Sequence, residues 1–245
     1  MNKPVMLVIG ASGDVGQGIV AAALASGRTV IASARNPQRL ARLTAAHPTG
    51  LHVLAGDVST LEGATALWQA ANAQSIGASG QPVSEVVVSV NAPSSIMPLA
   101  DCDAQLLADL FAANVLTHFN AARAIIPMLP ATGKFIGIGG GMADLIFPGM
   151  VPVAVAQAAL RNLYRGFAKE YRAKPPQNGP LIRELMVASM VNGESKRDVA
   201  QDSWVTDLDI GQHLLALLDN PDGFDAPVTV LRSREQVGKP DKAAA

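Results

Sequence analysis

The segment GASGDVG places glycines at positions 10, 13 and 16, directly after an aliphatic run and directly before a helix-like stretch. Gly10 permits a tight turn, Gly13 lets the backbone approach a pyrophosphate, and Gly16 lets the following helix pack closely on a sheet. Ser12, Asp14 and Val15 complete the turn and the start of that helix, and count with the glycines as candidate cofactor contacts. A helix beginning there offers unpaired N–H groups and a positive dipole end to phosphate oxygens. The strand–turn–helix setting is what makes a glycine triplet a dinucleotide-binding expectation. Further on, the second candidate strand ends in SARN, where an NAD site keeps an acid for the ribose 2′-hydroxyl. Ala34 and Arg35 stand there instead. A guanidinium suits a 2′-phosphate, although a solvated surface arginine would read the same way. The missing acid tips the expectation towards NADP rather than NAD.

Other residues could carry chemistry but lack partners in the sequence. Asp144 follows the fifth candidate strand and is the best available acid near the expected pocket, with a helix cap or a solvated loop residue as the competing reading. His118 titrates near neutrality in water, yet on a helix it reads first as a packed residue. Tyr164 reads as a core or interface aromatic. His47 and His52 lie close together without the carboxylate or thiol spacing of a metal site, so no metal is expected. Cys102 is the single cysteine, which excludes an internal disulfide and a thiolate cluster.

Positioning these groups falls to a regular alternation of elements. PVMLVIG, RTVIASA, GLHVLAGD, SEVVVSV, KFIGIG, LIRELMV and APVTVL read as short buried strands. Between them lie GQGIVAAALASG, closed by Gly27, and a helix capped by Asn36 with Pro37 at its first position. A third helix is expected to open on a capping box of Ser59 and Glu62. Two helical stretches follow, about Asp103 to Ala113 and Val115 to Met128. A long helix then runs from about Val153 to Lys174, and LDIGQHLLALLD is the last. The polar tail from Ser233 to Ala245 is expected to fray. With no internal repeat and no linker, residues 1–245 read as one α/β domain. It is a doubly wound parallel sheet of about seven strands with helices on both faces. Ligands of such sheets bind beyond the carboxyl ends of the strands, near the switch in strand order.

Composition narrows the partners. Hydrophobic residues make up 49% of the 245 and charged residues 16%, enough for a large core and unlike a disordered chain. Nineteen basic residues nearly cancel twenty acidic ones, with no basic cluster for nucleic acid or an anionic membrane. VMLVIG is too short for the core of a signal peptide, and no run of about 20 apolar residues could span a bilayer. The expectation is a soluble, cytoplasmic protein.

Several markers then occur in a shared order: GASGDVG, GDVS with Asp57 and Val58, VNAPS with Asn91 and Ala92, Asn114, the strand GKFIGIGG, and the helix QAALRNLYRGFAKE. In these the chain resembles the short-chain dehydrogenase/reductase family over essentially its whole length. The resemblance implies a Rossmann-type fold, an NAD(P) cofactor, a small-molecule substrate, and a homodimer or homotetramer built on the helices after Asn114 and Val153. It places Asp57 and Val58 at the adenine ring and Asn91 and Ala92 in the Asn-Ala-Gly turn, with Pro93 in place of the glycine. It also implies a catalytic Ser, Tyr and Lys supported by an Asn. Tyr is the general acid–base, Lys lowers its pKa, and Ser polarises the substrate carbonyl.

The support position matches Asn114. The Ser position falls on Gly140, the Tyr position on Val153 and the Lys position on Gln157, while the usual Pro-Gly after the sixth strand is Ser189-Met190. Val153 has no proton to give, Gly140 no hydroxyl, and Gln157 only an amide that can still bond ribose hydroxyls. Tyr164 comes eleven residues after Val153, about 16 Å further along the helix, too far to substitute. Three readings follow. The first is an NADP(H)-dependent oxidoreductase of non-standard mechanism, with Asp144 or water supplying the proton. The second is a non-catalytic NADP(H)-binding sensor or partner subunit. The third keeps the fold but uses the pocket for another ligand. Substrate choice would rest with NAPSSIMPLADC and VNGESKRDVAQDSW, loops expected to act as mobile lids.

Overall fold

The computed structural model describes residues 3–92, 96–173 and 179–240. Seven parallel strands form one sheet: β1 (Val5–Ile9), β2 (Thr29–Ala34), β3 (Leu51–Ala55), β4 (Val83–Val88), β5 (Lys134–Gly140), β6 (Leu181–Val187) and β9 (Val228–Leu231). Their spatial order is β3-β2-β1-β4-β5-β6-β9, so the chain reverses direction across the sheet between β1 and β4. That switch opens a crevice at the carboxyl ends of these two central strands. The fold is the expected single doubly wound domain. The strands are aliphatic on both faces because helices cover both. On one face lie α1 (Asp14–Ala25), α2 (Pro37–Ala46) and α7 (Asp207–Asp219). On the other lie α3 (Leu61–Ser79), α5 (Thr117–Ile125) and α6 (Val151–Ala173).

Local signals explain most boundaries. Asn36 Oδ1 accepts from the Arg39 N–H at 3.0 Å with Pro37 at the first helical position. Gly27, just beyond the end of α1, takes a φ of +81°. The Ser59–Glu62 capping box does not form. Ser59 is held instead by Asp57, whose carboxylate accepts from the Ser59 N–H at 2.9 Å and from its hydroxyl at 3.0 Å. The cap passes to Thr60, which accepts from Gly63 N–H at 3.0 Å, and the helix starts one residue later. A true capping box sits at α7, between Thr206 and Asp209.

The break expected near Asn114 is also absent. α4 (Ala104–Phe111) runs into a π-helical turn (Ala112–Leu116) and on into α5, because no Gly or Pro interrupts the stretch. The loop after β6 carries a small parallel pair, β7 (Val191–Asn192) and β8 (Val205–Thr206), joined by a short 3-10 helix (Glu194–Val199). The described part of the tail is ordered rather than frayed. Arg234 pairs with Asp209 at 3.1 Å, and Gln236 accepts from the Arg232 N–H at 2.7 Å. Residues 241–245 of that tail, like Pro93, lie outside the described residues.

At the amino ends of the strands, opposite the crevice, the fully buried Arg28 meets Glu85 at 2.8 Å and also Asp219. Lys134 adds a second contact to Glu85 at 3.1 Å and donates to the Leu218 carbonyl at 2.6 Å. This ionic cluster ties β4, β5 and α7 together. No helix among the described residues is long and apolar enough to cross a membrane.

Candidate functional site

The crevice is built from glycine outward. Gly10 has a φ of +84°, and a side chain on it would come within 2.2 Å of the Ser89 carbonyl at the end of β4. Its N–H and that of Ala11 both donate to Ser33 O, at 2.9 and 3.0 Å, which folds the turn back against β2. Gly16 approaches the Gly10 carbonyl so closely that a Cβ would lie 2.2 Å from it. Gly13 differs from both. It has an ordinary φ of −82°, and the nearest protein atom to a Cβ there would be 3.4 Å away. The space in front of Gly13 is therefore open to a ligand. No side chain caps the start of α1, so its first N–H groups are available to an anion. This is the cradle a diphosphate requires.

Around that cradle, Arg35 lies exposed just beyond β2, and Arg39 is exposed on the next helix. Asp57 is exposed at the end of β3 with its carboxylate held by Ser59, and Val58 is buried beside it. Asp14 and Ser12 are half-buried in the turn, as is Val15. Asp14 has a second role that sequence reasoning missed. Its carboxylate accepts from the Ser195 N–H at 3.0 Å and from the Ser195 hydroxyl, while Gln17 donates to Glu194 at 2.8 Å. The loop expected to be a mobile lid is thus strapped to the N-terminus of α1.

At the other end of the crevice the candidate residues converge. Asn114 is fully buried in the π turn, donates to the Leu110 carbonyl at 2.8 Å, and accepts from the Ala92 N–H at 3.0 Å. It therefore fixes the chain just after β4. Gln157, 5% exposed, accepts from the Gly140 N–H at 2.7 Å and donates to Asn91 Oδ1 at 3.3 Å. One amide braces the end of β5 against the end of β4. Val153, one turn earlier, is 4% exposed and packed into the interior. Ser189 and Met190 follow β6, where the Ser189 hydroxyl donates to the Met190 carbonyl at 3.0 Å.

Asp144 lies at the mouth in an ion pair with Arg161 of α6. That hydrogen bond and the charges of Arg161 and Arg232 hold its carboxyl below the usual range, against a smaller opposing effect of burial. Asp144 is ionised at neutral pH and so can accept a proton but has none to donate. His118 donates from Nε2 to the Val90 carbonyl at 3.0 Å, which leaves Nδ1 to accept from the Tyr164 hydroxyl at 2.8 Å. Burial pushes its pKa down to about 4, so the ring is neutral and structural. Tyr164 stacks on Phe135 with ring centroids 6.3 Å apart, and its own pKa is driven well upward by burial and by Glu184. Glu184 went unnoticed in the sequence, although LIRELMV carries an acid in the middle of a strand. It is fully buried, with its carboxylate directly over Gly139, and burial pushes its pKa up to about 7. No group of three or more His, Cys, Asp or Glu side chains suited to a metal occurs among the described residues.

A short chain dehydrogenase family model matches residues 4–175, well over half of the chain. This protein belongs to the short-chain dehydrogenase family. Solved structures agree on the fold. A short-chain dehydrogenase from Streptomyces avermitilis superposes with a TM-score of 0.75 at 23% identity, over 93% of this chain and 88% of that one. A short-chain oxidoreductase from Pseudomonas aeruginosa PAO1, described as containing an atypical catalytic center, gives 0.78 at 17%, over 94% and 95%. The closed form of a serine dehydrogenase complexed with NADP+ gives 0.78 at 15%, over 93% and 94%. Comparison with curated proteins gave no sequence match. Within this short-chain dehydrogenase, Asn114 and Gln157 both bond the chain just after β4, and Gln157 ties it to Gly140 at the end of β5.

Proposed function

We propose that this short-chain dehydrogenase binds NADP(H) in the crevice between β1 and β4 and does not reduce carbonyls by the family's acid-assisted route. Its function is that of an NADP(H)-responsive binding protein, a sensor or a partner subunit. One observation carries the reading. The amide of Gln157 bonds Gly140 and Asn91 and lies beside a buried valine, so none of the residues in this hydrogen-bonded brace is titratable. The cofactor end keeps what binding needs: the cradle at Gly10, Gly13 and Gly16, the uncapped α1, and Asp57, Val58, Asn91 and Ala92 lining the crevice. Arg35 supplies the preference for a 2′-phosphate. The NADP+ bound to the serine dehydrogenase neighbour supports the same cofactor class. The test pairs NADPH and NADH titrations with a turnover panel of carbonyls and alcohols. Micromolar NADPH binding without turnover is expected; robust hydride transfer to any panel member would overturn the non-catalytic part.

Gln157 itself favours a second reading. Its Nε2 carries two N–H groups and spends one on Asn91, leaving one to polarise a substrate oxygen or to bond a ribose hydroxyl. When bound, the oxidised nicotinamide would accept a hydride from an alcohol carbon as the alcohol O–H gives up its proton, and the protein need only orient the partners. In that oxidoreductase the ionised Asp144 serves as proton acceptor in the oxidative direction. Asp144→Asn should then abolish turnover with cofactor affinity intact, whereas unchanged turnover removes Asp144 from any chemical role. A homodimer or homotetramer on the α5 and α6 faces goes with either reading, and analytical ultracentrifugation measures it directly.

A further inference from the structure

We propose that Arg183 and Thr229 form a receptor for a compact monovalent oxyanion, such as a small carboxylate, near the amino ends of β6 and β9. The site lies away from the cofactor crevice, towards the other end of the strands, and does not depend on it. Among the described residues, four Arg, Lys, Asp or Glu side chains are buried: Arg28, Glu85, Arg183 and Glu184. Arg28 and Glu85 neutralise one another at 2.8 Å. Arg183 and Glu184 cannot, because consecutive residues of a strand point to opposite faces of the sheet. Glu184 turns to Gly139 and the face that carries α6. Arg183 turns with Leu185 and Val187 to the face that carries α1, α2 and α7.

On that face the guanidinium meets no acid. Arg183 is 3% exposed, and its Nε and Nη1 have no hydrogen-bond partner. Thr229, on β9 and 2% exposed, is in register with Leu185 and shares the face of Leu231. It therefore stands two residues further along the adjoining strand, and its Oγ1 has no partner either. Native interiors satisfy nearly all such atoms, and a lone buried charge is costlier still. Burial first, and then the charge of Arg172, act against the charged guanidinium, while Asp225 and Asp222 favour it. Both aspartates are exposed, and Asp225 reaches Arg172 at 3.9 Å. Phe224, between them in the chain, is buried on the face of Arg183, which sets this loop beside it. Charges standing in solvent are screened and do not neutralise one in the interior. A carboxylate would supply both the missing acceptor and the counter-charge, and would accept the Thr229 hydroxyl as a second donor. Water offers the acceptor without the charge. The low exposure restricts the occupant to a small head group, and the two aspartates at the rim disfavour a multiply charged one.

The experiment follows the Nε–Hε NMR resonance of Arg183 in the full chain, assigned by its loss in Arg183→Lys, while formate, acetate or sulfate is titrated in at constant ionic strength. Formate and acetate should move it saturably, with sulfate at least about tenfold weaker. Thr229→Val keeps the shape, loses the hydroxyl and should weaken formate roughly tenfold. Arg183→Met should melt no lower than wild type in buffer free of these anions, since it removes a buried charge that has no partner. Absence of a saturable shift, an equal response to sulfate, a formate affinity indifferent to Thr229→Val, or a methionine variant that melts well below wild type overturns the proposal. So does a resonance that Asp222→Asn or Asp225→Asn moves as far as formate does, which would make a loop acid the partner. A dimer that Arg183→Met dissociates also overturns it, because the arginine would then serve a contact between copies.

Discussion

Replacing Glu184 with glutamine should stabilise the protein at pH 8 and leave it nearly unchanged at pH 5. Glu184 is fully buried on β6 beneath α6, and neither carboxylate oxygen has a hydrogen-bond partner among the described residues. Burial raises its pKa from 4.5 to about 7; Arg161 pulls the other way and the Asp144 charge adds to the rise. Between those two pH values the folded state keeps a proton that the unfolded chain has released. Stability is therefore fully present below about pH 4.5, falls as pH rises towards 7, and stays low above it. At ~1.4 kcal/mol per pKa unit the loss amounts to roughly 3 kcal/mol. In a protein of this size that corresponds to a melting temperature about 6–12 °C lower at pH 8 than at pH 4.5 from this group alone. Glutamine keeps the shape and cannot ionise, so the variant escapes the loss. Urea denaturation of both proteins at pH 5 and pH 8 measures it. A stability difference that is the same at the two pH values would refute the reasoning. A variant less stable than wild type at pH 8 would show Glu184 ionised and paired with Arg161.

Arg35→Ala should weaken NADPH binding by roughly tenfold or more and leave NADH binding nearly unchanged, since a charge-assisted contact to the 2′-phosphate is worth about 1.5–3 kcal/mol. Fluorescence titration reads both, and an equal effect on the two nucleotides removes Arg35 from the site. Asp14→Ala breaks both bonds to Ser195, so hydrogen exchange at 193–199 should accelerate by roughly tenfold while α7 keeps its protection. Unaltered exchange there would mean that other contacts hold the strap. Glu85→Ala leaves Arg28 and Lys134 facing a vacated buried site and should cost about 3–5 kcal/mol in urea denaturation. A loss below about 1 kcal/mol would show that Asp219 and the Leu218 carbonyl suffice.

The alternation of elements was legible because each strand is an unbroken aliphatic run and each helix carries its own punctuation. Asn36-Pro37 and Gly27 are local signals, and the structure uses both. Ser59 misled for an equally local reason: its groups were already claimed by Asp57 two residues earlier. What pattern could not show was pairing across the fold. The contacts of Asp14 with Ser195 and Arg28 with Glu85 join residues 181 and 57 positions apart. Spacing within one element says nothing about such partners. Glu184 was visible as an odd residue in a strand. Its meaning depended on Gly139 in the neighbouring strand, which leaves the space its carboxylate fills.

On the proposed reading, Gly140, Val153 and Gln157 stand in for the family's Ser, Tyr and Lys, and the difference goes beyond three side chains. Position 140 would accept a serine cheaply, because a Cβ there would meet Gln157 Oε1 at an ordinary 3.4 Å. Positions 153 and 157 would not accept the family's tyrosine and lysine so easily. Tyrosine at 153 would force an aromatic ring into a position that is already almost fully buried. Lysine at 157 has no acceptor atom, so the Gly140 N–H would lose its partner and the brace between β4 and β5 would open. The valine and the glutamine thus form one packed, hydrogen-bonded arrangement. That arrangement fixes the ends of β4 and β5 to each other at the crevice and makes the brace a structural part of it.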